Sequence, residues 1–179
     1  MKRSNAPRQC IFCEGPATSK EHFWPGWMHD LLPAVPDPKH DRRLYSFHPI
    51  TGVREEGPQA KPGSIHTIKI RAVCAQCNNG WMSQLEQEAR PFLTPLINGT
   101  PIVLDAKQLE VVARWITLKS IVAEHAARNN FLTPRDDRVA FKERGTIPAY
   151  FRIYCANHNM TDAAGYIRHT SDLRLDPGP

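Results

Sequence analysis

At 179 residues, with 41% hydrophobic and 23% charged residues, the chain is long enough for one ordinary domain or two small ones. No apolar run approaches the roughly 18 residues of a bilayer-spanning helix, and the basic start MKRSNAPRQCIFC lacks the apolar stretch of a secretory signal. A membrane protein is thereby excluded as the expectation, and a cytoplasmic location, where thiols stay reduced, is predicted. The net charge of +5 and the pI of about 9.1 are compatible with a nucleic-acid partner without singling one out. Residues 1–104 carry 12 Lys+Arg against 9 Asp+Glu, and residues 105–179 carry 11 against 9, so neither half is a basic tail.

In chain order, residues 1–9 read as a loose arm bearing Lys2, Arg3 and Arg8, followed at once by a C-x-x-C pair, Cys10 and Cys13. From Trp24 to Gly63 the text is rich in Pro, Gly, His and charge, with only a short LYSF run of strand character. An irregular insertion with one hairpin is expected there. Ser64 to Val73 alternates, with Ile65, Ile68 and Ile70 between polar or basic neighbours, and predicts a strand that leads into a second pair, Cys74 and Cys77.

After Cys77, Trp81, Met82 and Leu85 fall at helical spacing, and Pro91 is expected to limit that helix to about three turns. Asp105 is placed to cap a long second helix whose apolar positions recur through Leu109, Val112, Trp115, Ile116 and Val122, with Asn129 and Asn130 as its stop. Thr133 as cap and Pro134 in the first turn predict a third helix up to Gly145. AYFRIYC and AGYIRH read as two strands of a hairpin, with Cys155 as a small core residue. The end, SDLRLDPGP, shows no clear stop to the fold, which suggests a ragged tail or a chain cut short.

Four cysteines in two C-x-x-C turns point to one tetrahedral metal site, because each turn offers two sulfurs to one ion with little strain. Buried thiols or a redox pair are the plainer alternatives. The 60 residues between Cys13 and Cys74 exceed a compact zinc ribbon, so the ion ties two distant stretches together. Zinc at Cys10, Cys13, Cys74 and Cys77 would also bring Glu21-His22, in SKEHFWPGWM, close to Asn78-Asn79, in CNNGWM. Phosphodiester hydrolysis needs a base for water, a cation for charge on the leaving oxygen, and oxygen ligands for that cation. Those residue types are present. Asn78 also has a plain role as a helix N-cap, and Trp81 and Trp115 a plain role in the core.

The texts CIFC, KEHFWP and VCAQCNNGWMSQLE resemble the HNH endonuclease family, over about residues 10–90. The resemblance implies a zinc-stabilised ββα-metal core within an α+β fold, carrying the irregular insertion and followed by a helical and β-hairpin extension over residues 105–179. It implies a structural Zn²⁺ on the four cysteines, His22 as general base, and Glu21 and Asn78 as ligands of a catalytic Mg²⁺ or Mn²⁺. The implied partner is DNA, or RNA, with Lys69 and Arg71 as phosphate contacts; a binding module that keeps the scaffold without the chemistry is the rival reading. The family's middle Asn has no counterpart, since no Asn occurs between His22 and Cys74. His66 or a backbone carbonyl is the replacement expected from the sequence.

Overall fold

The computed structural model describes residues 8–31, 39–42, 45–48, 52–55, 59–62, 68–126 and 132–156. Lys2, Arg3, His66, His158, the AGYIRH segment and the end of the chain lie outside the described residues. The fold is α+β. Strand β1 (Ser19–His22) pairs antiparallel with a later strand, β6 (Lys69–Val73), with His22 opposite Lys69 and Glu21 opposite Ile70. The ladder is irregular between Ser19 and Glu21. It is prolonged past both strands by the amide of Phe23 donating to Ile68 O (2.9 Å), and the amide of Ile11 donates to Ala72 O within β6 (3.0 Å).

The alternation expected for β6 holds, since Ile70 and Ala72 are buried while Lys69 and Arg71 are exposed. Between β1 and β6 the described residues form a short 3-10 turn (Gly26–Met28) and four strands in two nested antiparallel pairs, rather than one hairpin in an irregular run. β2 (Lys39–Arg42) pairs with β5 (Gln59–Pro62), and β3 (Tyr45–His48) with β4 (Gly52–Glu55) inside them.

Beyond Cys74 the chain turns helical at once. α1 (Ala75–Cys77) runs through a π turn (Asn78–Met82), kinked at Gly80, into α2 (Ser83–Ile97). Pro91 does not end this helix, which continues through Pro91 and Pro95 to Ile97. An interior proline costs about 3 kcal/mol or more, but Leu85, Ala89 and Leu93 form a buried stripe that extends across the proline, and its packing overrides the local penalty. α3 (Ala106–Glu124) starts as expected: Asp105 and Gln108 form a reciprocal capping box, both bonds at 2.9 Å. It ends at Glu124, before Asn129 is reached.

α4 (Arg135–Arg144) has Pro134 at its N-cap, not Thr133. Thr133 is instead committed to Glu124, donating its hydroxyl (2.7 Å) and amide (3.0 Å), and Leu132 adds its own amide (3.1 Å). One buried carboxylate therefore fastens the chain between α3 and α4. Replacing Glu124 with Ala should cost about 3 kcal/mol, because it leaves buried donors unpaired, and urea unfolding measures it. α4 stops at Gly145, whose φ of 68° favours glycine. A Cβ there would come within 2.7 Å of the Arg114 guanidinium.

Residues 151–156 form no strand, so the first half of the expected hairpin is absent, and Cys155 is exposed rather than in the core. The core joins Phe12, Val73 and Leu85 with Val112, Trp115, Leu118, Ile121 and Phe141. Trp81 stands edge-on to Phe12 (5.0 Å) and to Phe141 (5.9 Å), linking the first C-x-x-C loop to α4. No helix among the described residues is long and apolar enough to cross a membrane.

Candidate metal centre and the strand beside it

Cys10 and Cys13 sit in a tight loop closed by the Cys10 amide on Gly15 O (2.8 Å), while Cys74 directly follows β6 and Cys77 lies one helical turn on. The sulfurs of all four lie within 4.8 Å of one another. Cys13 Sγ is 3.6 Å from Cys74 Sγ and 3.8 Å from Cys77 Sγ. A tetrahedron with zinc–sulfur bonds of about 2.3 Å has edges of about 3.8 Å, so the cluster has the size of a Cys₄ zinc site. Thiolate sulfur is the donor zinc prefers, and three of the four residues are buried. The four cysteines predicted to act together do form one cluster that could hold a metal ion.

Cys74 has a second duty. Its Sγ accepts the Cys77 amide (3.3 Å) as the N-cap of α1. Burial pushes this thiol up, but the Cys77 amide and the neighbouring thiols outweigh burial and bring it down to about 7. Burial raises Cys13 and Cys77. The first loop is also held from a distance, since Arg138 of α4 donates through Nε to Ile11 O (2.9 Å) and through Nη1 to Thr133 O (2.5 Å).

Asn78 is not the N-cap of a helix; Cys74 holds that place. The Asn78 backbone is helical, and its Nδ2 donates to Ser19 Oγ at 2.8 Å, which ties the π turn to β1. Ser19 carries no motif of its own, and only the strand assignment of SKEH would have drawn notice to it. Asn79 is exposed. No protein-family model matches the chain, and neither a curated protein nor a solved structure is similar to it.

Glu21, at the centre of the ladder, is buried and forms an ion pair with Lys119 of α3. Lys119 Nζ also lies 3.2 Å from Glu86 Oε2 on α2, donates to His22 O (3.3 Å), and sits 5.9 Å from the Trp115 ring. Neither Lys119 nor Glu86 was expected at the site, because nothing local marks a lysine 98 positions from its partner as special.

His22 ends β1 half-buried. Burial lowers its pKa below the usual imidazole value, and the ammonium of Lys69 across the ladder lowers it further. The imidazole is consequently neutral at pH 7 and able to accept a proton. Lys69 and Arg71 are exposed on one face of β6, with Lys20 exposed on β1 beside them. The four cysteines, Ser19 with Asn78, and Glu21 with Lys119 are brought together around one two-stranded ladder and the helix that follows it.

Proposed function

We propose that this protein is a metal-dependent endonuclease of the HNH type, hydrolysing phosphodiester bonds in DNA on a zinc-stabilised ββα core. The observation that carries the reading is the Asn78–Ser19 hydrogen bond, which couples the turn after the second cysteine pair to the strand ending in Glu21 and His22. The succession of β1, β6 and a helix begun at Cys74 supports it. In this reading the four cysteines hold Zn²⁺, and the Glu21 carboxylate and the amide oxygen of Asn78 hold Mg²⁺ or Mn²⁺. Both are hard oxygen donors, and the Asn78 nitrogen is already committed to Ser19. The divalent ion supplies positive charge for the leaving 3′ oxygen.

His22 takes the proton of a water whose oxygen bonds to phosphorus as the P–O3′ bond breaks, and the leaving oxygen is protonated from solvent. Residues 105–179 would serve partner or target recognition, and reduced thiolates on zinc suit the cytoplasm. RNA shares the backbone chemistry and is the other candidate substrate. The test is nicking of plasmid DNA with added Mg²⁺ or Mn²⁺, against the same protein given EDTA. A preparation with full zinc that leaves the plasmid intact under both ions rejects the enzyme.

The rival, a zinc-stabilised module that binds nucleic acid or protein without cutting, is favoured by one observation: Glu21 is engaged by Lys119. The nuclease reading and the nucleic-acid-binding form of the rival both place phosphates on Lys69 and Arg71. Duplex affinity should then fall with salt, at a log–log slope of about −0.9 per neutralised phosphate. Lys69→Ala should make that slope shallower by about one unit, as read by fluorescence anisotropy. Binding that ignores salt, or none at low salt, would turn the assignment toward a protein partner.

A further inference from the structure

Lys119 places an ammonium against three oxygens, those of Glu21 Oε1, Glu86 Oε2 and the His22 carbonyl. Its side chain is only 11% exposed. The three oxygens come from β1 and α2, and the nitrogen from α3, so the arrangement depends on packing between separate elements rather than on one helix face. Two carboxylates and a carbonyl are the ligand chemistry of a hard cation. Two carboxylates against one ammonium also leave the group with net negative charge, which a divalent ion would reverse. A divalent ion held by Glu21 and the ammonium of Lys119 are thus rivals for the same carboxylate, and both cannot sit on it without strong like-charge repulsion.

We propose that Lys119 is a tethered counter-ion that occupies Glu21 and must be displaced when a divalent cation binds there. The proposal rests on the assignment of Glu21 to the metal made above, and it adds the regulation of that site. Lys119 keeps metal affinity low and holds the carboxylate ordered between uses. The indole face of Trp115 beside the ammonium offers a stabilising surface next to the position Lys119 leaves.

Binding of Mn²⁺ to zinc-loaded protein, read from the electron-spin-resonance signal of the free ion, tests this without DNA. Lys119→Met should bind Mn²⁺ at least tenfold more tightly than the parent. Lys119→Arg should keep the low affinity, and adding Glu21→Gln to Lys119→Met should remove the gain. A tighter site is an outcome that loosened packing does not produce. Unchanged or weaker Mn²⁺ binding by Lys119→Met overturns the proposal.

The parent protein gives an arm that needs no variant to fold. Acetylation of Lys119 by acetic anhydride, read by mass spectrometry, should rise several-fold when millimolar Mn²⁺ is added. Equal labelling with and without Mn²⁺ also overturns the proposal. The nuclease reading stands or falls separately. Protein that shows both Mn²⁺ effects yet cuts no DNA keeps the counter-ion and loses the enzyme, and protein that cuts DNA without them does the reverse.

Discussion

His22→Ala is expected to lower plasmid cleavage by about 10²–10⁴-fold, the share a positioned general base supplies, while zinc content and thermal unfolding stay at the parental level. The size of the loss follows from what surrounds the imidazole. It is half-buried, held neutral by burial and by Lys69, and sits on a strand whose carbonyl at the same residue is tied to Lys119. Removing the ring touches no cysteine and none of the described backbone bonds of β1. A cleavage rate equal to the parent's in single-turnover assays would leave the cysteine cluster standing and the catalytic role of His22 without support.

Cys74→Ser should have the largest effect on the fold. The thiol directly follows β6, accepts the Cys77 amide as the cap of α1, and is one of four sulfurs sized for zinc. Serine can still accept the Cys77 amide, so the helix start survives in part, but the metal loses a thiolate. Structural zinc contributes roughly 10–16 kcal/mol to the folding of its local unit, more than the whole stability of an ordinary domain. The variant should come off purification with far less zinc than the one ion per chain expected of the parent, and its circular-dichroism melt should be early or absent. Full zinc retention in a Cys10→Ser, Cys74→Ser double variant would overturn the assignment of the cluster to zinc.

What could be read from the sequence was local. The two C-x-x-C turns, the alternation of β6, the Asp105 cap and the Gly145 stop each depend on residues a few positions apart, and all of them are in the structure. What could not be read was set by partners far along the chain. Pro91 argues for a helix end when only its neighbours are weighed, yet the buried face from Leu85 to Leu93 carries the helix through it. Thr133 followed by proline has the sequence of a helix cap, but Glu124 captures its hydroxyl first. Lys119 looks like one of two lysines on an amphipathic helix until β1 is laid beside it. The same holds for Arg138, whose grip on the Ile11 carbonyl spans 127 positions.

The nested strand pairs have a consequence for how this chain tolerates change. Arg42 lies opposite Gln59 on the outer ladder, so the 16 residues between them leave and return at adjacent points. Closing a loop of half that length changes its entropic cost by only about 0.6 kcal/mol. The inner pair can then be trimmed to a bare turn, or exchanged for a peptide tag or a sensor domain, with neither end of the graft having to move. The cysteine cluster is built instead from the first loop and the residues that follow β6. The segment between β2 and β5 is a natural port for insertions, while the half that carries the cysteine cluster stays under constraint.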